Sequence, residues 1–306
     1  MTGPEIKFAH RKLIEHFYLH LQANLIFFDA GNPVQRYNSC TYSLFHRRKS
    51  TLRYDDMNLK AVFFDMGGTI DTHTYERRAG IEATAETRRL LSGAGVDVHG
   101  CNEELYDLIN EGLKAYRQWR EISLVELPPE QVWPEYILKT YPLAPGQLDG
   151  VAEDLTYTVD TRYYQRLMRP EIPEVLETLT RMGLKLGIIS NIQSRGQVPD
   201  DLNRYGIRHY FDPVVLSSEY GRRKPDPAIF HHAAGLLNTP PGACVYIGDR
   251  ISRDILGAKQ AGFALALQIR HDFKETADPE FPKPDAVLNS IQELPALILD
   301  TRGGNA

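Results

Sequence analysis

Cysteine is scarce in this chain. Cys40, Cys101 and Cys244 are the only three in 306 residues, and they lie far apart. They form neither a disulfide framework nor a structural zinc motif, so a reducing compartment is expected, with a cytoplasmic location as the default. Long apolar runs are missing as well. No stretch of about 18 apolar residues occurs, so no transmembrane helix is expected. The first twenty residues include Glu5, Lys7, His10, Arg11, Lys12, Glu15 and His16, which leaves no clean apolar centre for a signal peptide. Nor is there an excess of basic charge. A formal net charge of −5 gives no electrostatic footprint for nucleic acid or for an anionic membrane.

What is present describes a soluble globular chain, with 42% hydrophobic and 25% charged residues and enough length for one large domain or two. The first 58 residues stand apart. They hold eight Lys/Arg against five Asp/Glu, a formal +3, which leaves −8 on the remainder. They also hold four of the ten histidines, His10, His16, His20 and His46. Residues 6–25 suit an amphipathic helix, Asn32-Pro33 interrupts, and 46–53 (HRRKSTLR) is basic. A docking or membrane-surface arm is one reading. An N-terminal extension with no catalytic duty is the preferred one. LIFFDAG at 25–31 resembles AVFFDMG at 61–67, but Asn32-Pro33 breaks the likeness and Asp29 is assigned no site.

Residues 60–71, KAVFFDMGGTID, organise the rest. The run 61–64 is apolar and short, as a buried parallel strand would be. Asp65 ends it, and Gly67, Gly68 and Thr69 turn the chain at once. A carboxylate at a strand's C-terminal end beside a Gly-rich turn is where open α/β sheets bind ligands. Helices are expected over about 75–93, from Asn102 as N-cap, near 130–140 and over about 150–168. From residue 172 helices and strands alternate: helix 172–182, strand 184–190, helix 201–205, strand 211–216, helix 226–237, strand 243–247, helix 251–260, strand 263–267, a short strand at 286–288 and a closing helix 291–299. Such alternation implies a mainly parallel sheet with helices on both faces. About 95 residues of helix and loop interrupt it after the first strand, so an inserted helical domain is expected.

Four strand-end signals now stand in order: Asp65 with its Gly-Gly-Thr turn, Ser190-Asn191, Lys224-Pro225-Asp226, and Gly248-Asp249 with Asp254. This order, with GDRISRDILGAKQAG at 248–262, resembles the haloacid-dehalogenase-like hydrolase superfamily over about residues 59–300. The resemblance implies a Rossmann-like core at 59–73 and 169–301, a helical cap at 74–168, and a helical-cap, phosphatase-like activity on a small phosphorylated molecule. It implies Asp65 as a nucleophile that becomes an aspartyl phosphate. Mg²⁺ would be held by Asp65, the Gly67 carbonyl, Asp249 and Asp254, the last either directly or through water. Ser190 and Lys224 would serve the phosphoryl group. Thr69 and Asn191 would support the phosphate. Arg222, Arg223, Arg250 and Arg253 are read as surface charges. Tyr116, Trp119, Trp133 and Tyr136 are read as packing groups.

One position departs from the family pattern. Phosphatases of this superfamily carry a second aspartate two residues after the nucleophile, which protonates the leaving oxygen; here that residue is Gly67. General acid–base help is worth about 10²–10⁴ in rate. An activated substrate such as an acyl phosphate, a donor from the cap or the next loop (Asp71, His73, Tyr75 or Glu76), a phosphonate-cleaving reaction using Lys114, or a binding protein without turnover would each accommodate the change. The dehalogenase branch fits less well, because it usually has an aromatic residue at this position and no Gly-Asp metal signal.

Overall fold

The structure, a computed structural model, describes residues 58–270 and 281–301. The N-terminal segment, with its helix candidate, the 25–31 likeness and the basic stretch 46–53, lies outside them.

Six parallel strands form the main sheet: β1 (Ala61–Phe64), β4 (Lys185–Ser190), β5 (Phe211–Leu216), β6 (Cys244–Gly248), β7 (Leu265–Ile269) and β8 (Ala286–Leu288), in the order β5-β4-β1-β6-β7-β8. β1 is central, with β4 on one side and β6 on the other. The chain builds outward from β1 through β4 to β5, then crosses to β6 on the opposite flank. Strand order therefore reverses beside β1, the geometry that opens a crevice at the strands' C-terminal ends.

Alternation along β1 explains why both faces are covered. Val62 and Phe64 point to one apolar cluster with Leu186, Ile188, Val245 and Ile247, covered by the helices Ile172–Arg181 and Leu294–Thr301. Ala61 and Phe63 point to the other, with Ile189, Tyr246 and Ala266 under the helix Pro227–Leu236. A strand buried on both sides reads as an unbroken apolar run, which is why AVFF was legible. Pro295 does no harm in the closing helix because it is the second residue of that helix, where no intrahelical N–H is required.

Between β1 and β4 lies the insertion. It begins with β2 (Asp71–Tyr75), which pairs antiparallel with β3 (Tyr164–Met168) in a two-stranded ribbon. From the ribbon extend α1 (Arg77–Gly93), α2 (Asn102–Ser123), a short helix Pro129–Val132 that runs into a π-helical turn Trp133–Ile137, and α3 (Ala152–Arg162). These elements bury their own apolar cluster, including Leu91, Ile109, Tyr116, Trp133, Leu155 and Tyr163. The packing reading of the aromatics is matched by Trp133, which is buried and donates Nε1–H to Thr156 Oγ1 at 2.9 Å, and by Tyr116, which stacks on Trp119 and meets Tyr136 edge-on.

Two expectations need correction here. The helix expected over 150–168 ends at Arg162, and residues 164–168 are strand. Leu167 is 72% exposed, while Arg166 shares the inner face with Tyr164 and Met168, so a charge lies among the inward positions and one apolar residue is left outside. The N-cap of α2 is Cys101 rather than Asn102; the Cys101 amide is satisfied by the Glu104 carboxylate at 2.7 Å.

Candidate functional site

Register alone gathers the strand-end residues. Phe64 lies level with Ile188 and with Ile247, so Asp65 emerges between Ser190 at the end of β4 and Gly248-Asp249 at the end of β6. Asp65 stays bound to the sheet through its amide, which donates to Ile247 O at 2.9 Å. The turn that follows passes close to β6. Gly68 has φ +90°, and a Cβ there would lie 2.5 Å from Asp249 Oδ2. Only glycine satisfies both the backbone conformation and the approach. Arg169, just past β3, donates to Gly68 O at 3.0 Å and ties the turn to the ribbon.

Lys224 is fully buried at the centre. Its Nζ lies 2.8 Å from Asp65 Oδ1 and 2.7 Å from Asp254 Oδ1, and donates to Tyr246 Oη at 2.7 Å and Ile189 O at 2.9 Å. Asn191 holds the Lys224 backbone from both sides: it donates Nδ2–H to Lys224 O at 2.9 Å and accepts from Lys224 N at 2.8 Å. Asn191 thus positions the lysine at the end of β4. Ser190 is buried at the end of β4, and Thr69 is buried with its hydroxyl unmatched among the described residues.

Three carboxylates converge here. Asp65, Asp249 and Asp254 each offer an oxygen within 4.8 Å of the others, and all three are buried. Asp254 is fully engaged, because its second oxygen accepts from Arg250 N at 3.0 Å. Burial would raise its pKa, but Lys224 and Arg253 override that and hold it below the usual carboxylate value. Asp249 has less compensation. Burial, followed by the charges of Asp65 and Asp254, pushes it up to about 7. Asp65 Oδ2 and Asp249 Oδ1 are buried and make no hydrogen bond. Buried acceptors without a hydrogen bond are costly, and the charge of Arg253 at 3.7–3.8 Å offsets that only in part. Hard oxygen donors in a cluster with unused lone pairs suit a divalent ion such as Mg²⁺.

Reading the arginines as surface charges was wrong for two of them. Arg253 places Nη2 3.8 Å from Asp65 Oδ2 and 3.7 Å from Asp249 Oδ1, in the middle of the carboxylates. Burial opposes its charge, yet Asp254, Asp65 and Asp249 together raise its pKa above the ordinary arginine value. Arg223 is buried under the helical insertion and pairs with Glu126. Arg250 lies 3.2 Å from Asp249 Oδ2, and Arg222 is half-exposed beside Asp226 at 3.7 Å.

Glu126 joins the insertion to the sheet domain. It accepts from Tyr116 Oη at 2.7 Å and Ser217 Oγ at 2.8 Å, and pairs with Arg120 at 3.3 Å and with Arg223. A second polar seam runs from Ser194, whose hydroxyl donates to Glu153 at 2.8 Å and whose amide donates to Asp160 at 3.0 Å.

Next to Gly67 stand two residues of the ribbon. A Cβ on Gly67 would meet Arg166 Nη1 at 3.5 Å and His73 Nδ1 at 3.7 Å. His73 and Arg166 are directly opposite across the β2–β3 pair. His73 had been one of four neighbours in sequence, and Arg166 had no local signal at all. Asp71, behind them, is pushed up to about 7 by burial, with Arg166 and the Tyr205 hydroxyl pulling the other way.

This fold and this set of strand ends define a class of α/β hydrolase with a helical insertion after the first strand. Residues 59–262 match the family described as haloacid dehalogenase-like hydrolase, and the chain belongs to it. It is 30% identical to the glyceraldehyde 3-phosphate phosphatase of Methanopyrus kandleri over 247 residues, 77% of this chain and 98% of that protein. It is 26% identical to the N-acylneuraminate-9-phosphatase of Mus musculus over 243 residues, 78% of this chain and 94% of that one. Among solved structures it resembles a HAD phosphatase from Thermococcus onnurineus (TM-score 0.52, 24% identity, 80% of this chain and 100% of that). It resembles a 2-haloacid dehalogenase from Pseudomonas syringae equally well (TM-score 0.52, 23% identity, 79% and 98%). The fold is therefore shared by proteins named for different reactions, and the choice between them falls to the site. Among the described residues no helix is long and apolar enough to cross a membrane.

Proposed function

We propose that this chain is a Mg²⁺-dependent phosphatase acting on a small phosphorylated molecule through an aspartyl phosphate on Asp65. The observation that carries the reading is the state of the Asp65 carboxylate. One oxygen is fixed by buried Lys224 at 2.8 Å, and the other is buried without a hydrogen bond at the mouth of the strands. A carboxylate so held attacks with one oxygen while its orientation is fixed by the other. Two curated relatives carrying phosphatase names, each matched over more than nine-tenths of its length, support the same reaction type.

Asp65 and Asp249, with the Gly67 carbonyl, would hold Mg²⁺, and Asp254 would stand behind them, orienting Lys224. The bound ion would supply Lewis acidity and charge neutralisation at a phosphoryl oxygen. Lys224 offsets negative charge on the transferring group, as does the Ser190 hydroxyl by hydrogen bonding. Thr69 braces the turn beside the phosphate. The helical insertion acts as a cap over the strand ends, excluding water and selecting the substrate. A phosphonate-cleaving reaction through an imine on Lys114 is disfavoured. That lysine is exposed on α2, whereas an imine-forming lysine sits in an apolar pocket or beside another cation.

The test is phosphate release from a panel of small phosphate esters and acyl phosphates with Mg²⁺. Wild type is expected to turn over at least one, and Asp65→Asn to lose at least about 10³ of that rate. Release that survives in Asp65→Asn would remove the aspartyl-phosphate mechanism.

A further inference from the structure

With glycine two residues after the nucleophile, something else must meet the leaving-group oxygen. The ribbon fills that place. The nearest atoms to a side chain at position 67 are Nη1 of Arg166, 3.5 Å from the Cβ position, and the His73 ring, 3.7–3.8 Å from it. Arg166 is only 12% exposed at its side chain, and its charge is shared among the carboxylates of Asp71, Asp201 and Asp160. Asp71 Oδ1 lies 3.6 Å from Nη1, Asp201 Oδ2 lies 3.9 Å from Nε, and Nε makes no hydrogen bond. The Tyr164 ring is 5.7 Å from the guanidinium carbon. A nearly buried guanidinium with unused donors has affinity for a further anion.

We propose that Arg166, with His73 beside it, takes the place of the missing carboxylic acid and receives the leaving-group oxygen, so that this enzyme handles phosphates whose leaving oxygen is weakly basic: acyl, enol or aryl phosphates. The proposal rests on the phosphatase reading above. As an Asp65 oxygen bonds to phosphorus, the bond from phosphorus to the leaving oxygen breaks and its electron pair stays on that oxygen. Arg166 donates a hydrogen bond and offsets the developing charge; a guanidinium acts here by charge and hydrogen bonding, not by giving up a proton. The leaving group departs as an anion, which stays ionised when weakly basic and otherwise takes a proton from solvent; the protons of the water that attacks next go to the released phosphate and the solvent. Water then attacks phosphorus, the bond to Asp65 breaks with its electron pair returning to the carboxylate, and phosphate leaves. Charge stabilisation by one well-placed donor is worth about 10²–10³. It does not level differences in leaving-group basicity as protonation would.

The experiment is a series of substituted phenyl phosphates with Mg²⁺, from dinitrophenyl to methylphenyl, read as kcat/KM against leaving-group pKa. Wild type is expected to show a steep negative slope. Arg166→Met should steepen it, losing about 10²-fold on the methylphenyl ester and under about tenfold on the dinitrophenyl ester. Arg166→Lys should fall between the two. The slope compares substrates within one preparation, so a partly unfolded variant does not alter it. An equal loss across the series would make Arg166 merely structural, and a flat wild-type slope would show that another group protonates the leaving oxygen; either overturns the proposal. Asp65→Asn runs alongside. Release from no ester in wild type, or release that persists in Asp65→Asn, would instead overturn the phosphatase reading itself.

Discussion

Restoring aspartate at position 67 looks like a repair of the missing acid, yet the structure predicts that it will not work as one. A Cβ there meets Arg166 Nη1 at 3.5 Å and His73 at 3.7 Å, ordinary contact distances, and the glycine does not need a positive φ. The side chain therefore fits. Its carboxylate then lies within reach of the Arg166 guanidinium, and an opposite charge at about 4–6 Å lowers a carboxyl pKa by roughly 1–3 units. Starting from about 3.9, the new group would titrate at about 3 or below. Near neutral pH fewer than about one molecule in 10⁴ would carry the proton. The usual gain of about 10²–10⁴ from general acid catalysis is then withheld. The same ion pair also occupies the donor that Arg166 offers the substrate. Phosphate release from alkyl phosphates by Gly67→Asp should stay within about threefold of wild type or fall, while Gly67→Asp combined with Arg166→Met should rise above either single variant, because the carboxyl is freed to hold a proton. A rise of about a hundredfold in Gly67→Asp alone would refute the reasoning and show that Arg166 does not control this position.

Two further outcomes follow from buried charge. Glu126→Gln should destabilise the protein by about 3–5 kcal/mol, since it leaves buried Arg223 and the adjoining Arg120 without their carboxylate; urea denaturation checks this, and a loss under about 1 kcal/mol would mean the pair is effectively solvated. The pH dependence of the metal-free protein should also be inverted relative to most carboxylates. Asp249 and Asp71 are raised to about 7, so between the unfolded carboxyl value near 4 and that point the folded chain holds protons the unfolded chain has lost. Their contribution is therefore present at low pH and disappears as pH rises to about 7. With chelator present, calorimetry should give a Tm several degrees higher near pH 5.5 than near pH 7.5, and Asp249→Asn should flatten the difference; a Tm that climbs over this interval would contradict the burial of these groups.

Much of the sheet domain could be read from local chemistry. β1, β4 and β6 announce themselves because a strand covered on both faces is continuously apolar, and each ends at the residue whose polarity cannot be buried in the sheet: Asp65, Ser190-Asn191 and Asp249. Parallel pairing in register then brings those ends together without further instruction. Lys224 was legible through its place before Pro225, although the exchange of hydrogen bonds that fixes its backbone to Asn191 was not.

The sequence by itself determined the family, the central strand, the order of the strand ends and the glycine at 67 that departs from the pattern. Tertiary structure decided what compensates for that glycine. Arg166 lies about a hundred residues from it along the chain, on a strand where it faces inward between Tyr164 and Met168 while Leu167 faces out, so neither periodicity nor proximity marks it. Arg253 likewise reads as one more arginine on a helical turn until β6 aims that turn across the carboxylates. Buried charge takes its meaning from the groups that the fold sets against it, and those groups are neighbours only in space.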